Sequence, residues 1–245
     1  MSSSQELLHR FARVSNYDHW SFEAIQKHKT ASCMPRAAVL VSFIFKSGTW
    51  KILLTIRSAK LRTEPNTVSF PGGMAEEGES EVETALREAN EEIGLERHQI
   101  TVIGNMPPII NRSGKLVCPV VGLITDQNFD PKPNEEVDKV FYLPAERFLS
   151  SVDHSIKYPV MLGNVDYAVH FFYDTIDASE ETVTTYGLTA HLAICASIVV
   201  CNKLPEFEIH PKFNSLSIND PYIWLRTIAK NFNDIIGPQT NVSKL

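Results

Sequence analysis

Gly73-Met74-Ala75-Glu76-Glu77-Gly78-Glu79-Ser80-Glu81-Val82-Glu83-Thr84-Ala85-Leu86-Arg87-Glu88-Ala89-Asn90-Glu91-Glu92-Ile93-Gly94-Leu95 decides how this chain is read. Its spacing predicts a helix over 80–93. At about 100° per residue, Val82, Ala85, Leu86, Ala89 and Ile93 fall within one arc of roughly 100°, a core-facing stripe. Glu88, Glu91 and Glu92 share the adjacent face, with the Cβ atoms of Glu88 and Glu92 about 5–6 Å apart. Like charges so placed repel, by a few tenths of a kcal/mol per pair (order of magnitude) when exposed and more when desolvated. A hard divalent cation removes that cost, and Mg²⁺ fills its remaining positions with water and phosphate oxygens. Such an ion polarises a phosphoryl group and activates water. A bare run of glutamates reads as a solvated acidic face. Here the run sits between Gly72-Gly73, which leads out of a strand, and Gly94, a helix stop. Arg87 stands beside the carboxylates, placed to pair with Glu79 or Glu91. The stretch therefore reads as a diphosphate-cleaving centre.

Upstream, Ala37–Phe45 is a continuous apolar, β-branched run that predicts a core strand. Ser47-Gly48-Thr49 forms a turn into a second strand, Trp50–Ile56. Residues 57–67 read as a loop and Val68–Phe70 as a short strand that ends at Pro71-Gly72-Gly73. Downstream, Gln99–Asn105, Lys115–Ile124, Val137–Leu143 and Tyr167–Asp174 read as strands. Pro144–Phe148 begins a short helix, and Leu188–Val200 and Pro221–Phe232 are longer ones. At the N-terminus, 4–13 reads as an amphipathic helix capped by Ser4, with Leu7, Leu8, Phe11 and Ala12 on one face. Trp20, Phe22 and Ile25 read as anchors of a connecting segment. Mixed strands and helices of this kind predict an α/β or α+β sandwich. The expected organisation is a helical extension over 1–35, a catalytic domain over 36–205 and a C-terminal helical extension over 206–245.

Gly73, Glu79, Arg87, Glu88, Glu91, Glu92, Gly94 and Leu95 match every fixed position of the Nudix box, so the chain resembles the Nudix hydrolases. The resemblance implies α/β class and the Nudix fold, a mixed β-sheet sandwiched between helices. It implies hydrolysis of a nucleoside diphosphate linked to another moiety, with Mg²⁺ or Mn²⁺. It also implies catalytic roles for Glu88, Glu91 and Arg87. Glu88 and Glu92 become the principal metal ligands, Glu91 a further ligand or the water-activating base, and Glu79 a support of the loop.

Leu53-Leu54-Thr55-Ile56-Arg57-Ser58 with Leu61-Arg62, then Val68-Ser69-Phe70-Pro71-Gly72-Gly73, resembles the added signature of the coenzyme A diphosphatase branch. Arg57 and Arg62, with the Gly72-Gly73 backbone, are the expected substrate contacts, since guanidinium forks match phosphate oxygens. One position departs: Asn66 stands where that signature has glycine, and Asn tolerates left-handed backbone better than most residues. Pro119–Leu123, Pro133–Val137 and Gly187–Ala190 resemble later parts of the same branch, and Glu135 or Glu136 is a further acidic group for the metal site. His170 and His191 read as hydrogen-bonded core residues. The implied reaction converts coenzyme A or acyl-coenzyme A to 3′,5′-ADP and (acyl-)4′-phosphopantetheine. Two other readings remain. One is a Nudix hydrolase of NADH or ADP-ribose, although the Ser-Gln-Pro-Trp-Pro-Phe-Pro stretch of the NADH-cleaving branch is missing. The other is a binding module without catalysis, although such modules usually lose box glutamates.

The whole chain agrees with these readings. Its 245 residues carry a net charge of −6, which argues against a nucleic-acid partner. Its four cysteines, Cys33, Cys118, Cys195 and Cys201, form no metal-binding pair and read as thiols of a reducing compartment. No apolar run reaches the roughly 18 residues of a membrane span. Ser243-Lys244-Leu245 has the sequence of a peroxisomal address, so the import receptor is an expected partner and the peroxisome the expected location.

Overall fold

In the computed structural model, residues 4–15, 33–111, 113–162, 165–176 and 181–209 are described. The first apolar run forms β1 (Arg36–Lys46), which turns back into β2 (Thr49–Arg57). The two-residue turn has Ser47 and Gly48 both at positive φ, 53° and 80°, the backbone that matches the twist of a tight hairpin. Short strands β3 (Val68–Ser69) and β4 (Gly72–Met74) follow, then helix α2 (Glu81–Ile93), α1 being the N-terminal helix Ser4–Ser15. Next come β5 (Ile100–Asn105), β6 (Ile109–Ile110), β7 (Leu116–Ile124) and β8 (Val137–Pro144), and a 3₁₀ turn at Ala145–Leu149. A second sheet is built from β9 (His154–Leu162), β10 (Val165–Ile176) and β11 (Glu181–Tyr186), before helix α3 (Gly187–Cys201).

The main sheet runs β3-β2-β1-β7-β5, with β4 also paired to β1, β6 to β7 and β8 to β2. It is mixed, because β1 and β7 are parallel while the other pairings are antiparallel. Alternation along β1 assigns its two faces. Ala38, Leu40 and Ile44 pack with Ala85, Ala89 and Ile93 of α2. Val41 and Phe43 point the other way, into a cluster that holds Leu7 and Phe11 of α1, Phe172 of β10 and the apolar residues of α3. α3 is buried at Ala190 and from Leu192 through Val200, as expected of a helix that is apolar all round. Arg10 of α1 donates from Nη1 to the Val200 carbonyl at 2.9 Å, satisfying an orphan acceptor at the end of α3.

Several features differ from the sequence reading, among them the short strand β6, which was not expected. Gly72–Met74 is a strand rather than a loop, with Ala38 opposite Gly73 and Val39 opposite Gly72. β9 and β11 were not expected as strands; each is fixed by its pairing with β10. Among the described side chains of α1, Leu7 and Phe11 are buried while Leu8 and Ala12 are exposed, because the helix lies at the rim of the core. The readings at Trp20, Phe22, Ile25, Pro221–Phe232 and Ser243–Leu245 lie outside the described residues.

His170 is buried between sheet and segment 203–209. Its Nε2 donates to the Ile209 carbonyl at 2.9 Å, so in the neutral ring Nδ1 accepts from His154 Nε2 at 3.0 Å. Phe207 stacks on His154 at 3.9 Å. Burial, His170 and Arg147 push the His154 ring down to about 4.

Two outcomes follow from this packing. Phe11→Ala lowers the unfolding free energy by about 3–5 kcal/mol in denaturant titration, because it empties a fully buried site. Because the unfolded chain takes up a proton on His154 that the folded chain refuses, stability holds above about 6.5. It falls as pH drops toward about 4, and His154→Gln flattens that slope in the unfolding midpoint.

Candidate active site

Ser80 caps α2 with a reciprocal capping box to Glu83, and Gly94 closes it in the left-handed conformation at φ 69°. These stops fix which residues face the loop 74–80. Arg87 is the centre of the arrangement. Its Nε donates to Glu79 Oε1 at 2.7 Å and its Nη2 to Glu79 Oε2 at 3.1 Å, a two-pronged contact. Nη2 also reaches the Met74 carbonyl at 3.0 Å, and Nη1 bridges Glu88 Oε1 at 3.0 Å and Glu91 Oε2 at 3.1 Å. Glu79 accepts two further bonds, from the Glu76 N–H and the Thr84 hydroxyl. Arg87 foremost, with these donors, holds Glu79 down to about 2. The same contacts lift Arg87 further above its ordinary range.

Glu88 and Glu92 are in the opposite condition. Burial pushes Glu88 upward against the opposing pull of Arg87. Glu92 is 4% exposed and accepts one bond, from the Gly72 N–H at 3.1 Å. Burial raises it to about 7, with Glu88 and Glu136 adding like charge and the Gly72 bond and Arg57 opposing. Two desolvated carboxylates side by side, with more acid facing them, form an all-oxygen donor set short of positive charge. That chemistry fits a hard divalent cation. No three acidic, histidine or cysteine side chains among the described residues make a ready cage. Mg²⁺ needs none, since it binds through one or two carboxylates and takes the rest of its shell from water and phosphate.

Gly73 explains why this face forms at all. A Cβ added there would lie 2.4–2.6 Å from the Glu88 carboxylate atoms. At Gly72 it would lie 2.3 Å from the Ala38 carbonyl oxygen. Only glycine at both 72 and 73 lets β4 pass between β1 and the Glu88 carboxylate.

The structure brings Arg87, Glu88, Glu91, Glu92, Gly72 and Gly73 together. Arg57 comes from β2, where a bulge between Ile56 and Arg57 interrupts the pairing with β8. Its charge acts on Glu92, and its buried Nε has no hydrogen-bond partner among the described residues. Arg62 is exposed in the loop and joins no ion pair among the described residues. Asn66 adopts φ 56°, the left-handed conformation a glycine would take, and its N–H closes the loop on the Arg57 carbonyl at 3.0 Å. Of the acidic pair in the later loop, Glu136 is the one whose charge acts on Glu88 and Glu92. His170 belongs to the core cluster with His154, as read. The sequence did not single out Asp138, which accepts the Ala59 N–H through Oδ2 at 2.9 Å. Its one signal was its place directly after the acidic loop.

A family model for the NUDIX domain matches residues 34–162. The chain belongs to the Nudix hydrolase family. Its mixed sheet between helices is the Nudix fold, and Nudix hydrolases generally need divalent metal ions. Among its relatives, a peroxisomal coenzyme A diphosphatase of Mus musculus is 32% identical over 79% of this chain and 83% of its own length. A peroxisomal coenzyme A diphosphatase of Caenorhabditis elegans is 37% identical over 69% of each. A mitochondrial Nudix hydrolase of Arabidopsis thaliana is 39% identical over 73% of this chain and 63% of its own length.

Gly73→Ala tests the close approach. The added methyl displaces the flexible end of Glu88 rather than backbone, so turnover falls about 100-fold. The unfolding free energy stays within about 1 kcal/mol of the parent.

Proposed function

We propose that this Nudix hydrolase cleaves the diphosphate bond of coenzyme A and acyl-coenzyme A, giving 3′,5′-ADP and (acyl-)4′-phosphopantetheine. The observation that carries the reading is Arg57: a buried guanidinium N–H with no partner among the described residues, on a side chain whose charge acts on the desolvated Glu92 carboxylate. A phosphate oxygen supplies the missing acceptor, and a substrate with several phosphates suits a loop that also carries Arg62. The names of the Mus musculus and Caenorhabditis elegans relatives support the same substrate and the peroxisome.

Glu88 and Glu92 would hold Mg²⁺ or Mn²⁺ in this reading, and Glu91 serves as the water-activating base rather than as a further ligand. When bound, the ion supplies charge neutralisation and Lewis acidity to the diphosphate. Arg57 and Arg62 orient the phosphates, and the Gly72-Gly73 backbone lets the substrate approach the carboxylates. Glu91, the most exposed of the three at 55%, takes the proton of the attacking water. The water oxygen forms the new bond to one phosphorus, in line with the bridging oxygen, which leaves on the other phosphate. Arg87 keeps Glu88 and Glu91 in register throughout. The chain reaches the peroxisome, in this reading, through recognition of Ser243–Leu245 by the import receptor.

A panel with Mg²⁺ tests the reading: coenzyme A, acyl-coenzyme A esters, dephospho-coenzyme A, NADH and ADP-ribose. Coenzyme A and its esters are hydrolysed fastest, dephospho-coenzyme A more slowly, and Glu88→Gln loses at least about 100-fold in turnover. Fastest turnover of NADH or ADP-ribose, or a Glu88→Gln protein at the parent rate, overturns it. A full chain with an N-terminal fluorescent tag enters peroxisomes, and leaves them when Ser243–Leu245 is deleted.

A further inference from the structure

Segment 132–138 touches both halves of the site. At one end it meets α2. The Lys132 N–H donates to the Ile93 carbonyl at 2.9 Å and the Asn134 N–H to the Glu92 carbonyl at 3.0 Å. These bonds satisfy two of the orphan acceptors at the end of the helix that carries the carboxylates. The chain then turns at Asn134, whose Oδ1 accepts the Glu136 N–H at 2.8 Å. At its other end the segment meets the arginine loop. The Ser58 N–H donates to the Glu136 carbonyl at 2.8 Å, and the Ala59 N–H to Asp138 Oδ2 at 2.9 Å.

The limb of the loop it meets has one turn of its own, from the Leu61 N–H to the Ser58 carbonyl at 3.1 Å, and the loop is otherwise held at its base. Arg57 N–H bonds the Thr67 carbonyl at 2.9 Å, Asn66 N–H bonds the Arg57 carbonyl at 3.0 Å, and the Thr67 hydroxyl bonds the Glu64 carbonyl at 2.7 Å. Between these contacts, residues 59–66 are largely exposed. Asp138 supplies the side-chain contact that ties the limb of the loop leading to Arg62 to the strand behind it, across 79 residues of sequence.

From this geometry we infer that Asp138 is a positioning residue for substrate. As the end of a strut running from the α2 carbonyls, it fixes the Ser58–Arg62 limb, and so Arg62, at a set distance from the carboxylates. The inference rests on the phosphate-binding reading of Arg62. Asp138 acts as a hydrogen-bond acceptor here, so Asn serves in its place and Ala does not.

Two measurements on the intact chain test it. The first is hydrogen exchange of peptides covering 57–67 in the free protein: Asp138→Ala speeds exchange there and Asp138→Asn does not. The second is steady-state kinetics on coenzyme A. Asp138→Ala raises KM about five-fold, the loss expected of one hydrogen bond, with kcat unchanged, whereas Asp138→Asn stays near the parent. In an Arg62→Ala background the Asp138→Ala effect on KM disappears. Unchanged exchange in Asp138→Ala overturns the strut whatever the substrate proves to be. A fall in kcat at constant KM, or full additivity with Arg62→Ala, overturns the positioning role. A KM unchanged by Arg62→Ala alone, with exchange altered as expected in Asp138→Ala, overturns the arginine reading while leaving the strut in place.

Discussion

One guanidinium organises the acidic face. Arg87 engages Glu79, Glu88, Glu91 and the Met74 carbonyl at once, so the loop 74–80 and the helix face cannot move independently. A lysine could not substitute, since a single ammonium lacks the planar fork that grips Glu79 through two oxygens while facing the helix. The consequence is a division among carboxylates that look alike in sequence. Glu79 is saturated with donors and stays ionised as an anchor. Glu88 and Glu92 are partly or fully desolvated and under-supplied with positive charge, and that shortage makes the face attractive to a cation.

The same economy of space links the site to the core. β1 pairs with β2, β4 and β7, so it lies at the centre of the main sheet and also behind the catalytic loop. Its alternate residues feed two apolar clusters, and its backbone at Ala38 is the surface against which Gly72 packs. Gly73 then leaves the gap that the Glu88 carboxylate fills. Stability and chemistry therefore share residues here. Packing of α2 through Ala85, Ala89 and Ile93 places the carboxylates, and the small residues of β4 let them approach the sheet.

What could be read from the sequence depended on how local the signal was. The helix 80–93, the hairpin strands and the buried strand near Lys115–Ile124 announce themselves by period or by continuous apolar runs. Glu88, Glu91, Glu92 and Arg87 could be grouped because one helical turn brings them together. β11 is half threonine and starts with Glu181, so it carries no apolar alternation, whereas β9 alternates at Ile156, Tyr158, Val160 and Leu162 but has Pro159 inside the run, which reads against a strand. They are strands because β10 offers them a ladder. β4 is three residues long and glycine-rich, and only its register against β1 makes it a strand. Asp138 and the orientation of Arg57 were illegible for a related reason. Their contacts are set by the β2–β8 register and by the bulge at Ile56 and Arg57, which no window of neighbouring residues contains.

That bulge matters for how an acidic chain handles a polyanionic substrate. With a net charge of −6 there is no long-range pull on phosphate, so cations must be placed locally. The residue left unpaired at that bulge is Asp138 of β8, since Ile56 pairs with Lys139 and Arg57 with Val137. Arg57 continues β2 beside it, with its Nε buried and its charge acting on Glu92. A flexible surface arginine would lose side-chain freedom on meeting a phosphate; one held half-buried, with its Nε out of solvent, has lost part of it during folding. On the proposed reading, Arg57 is thus the pre-organised half of the phosphate grip. Arg62 is the mobile half, and the backbone of its loop, rather than any ion pair of its own, decides where it can reach.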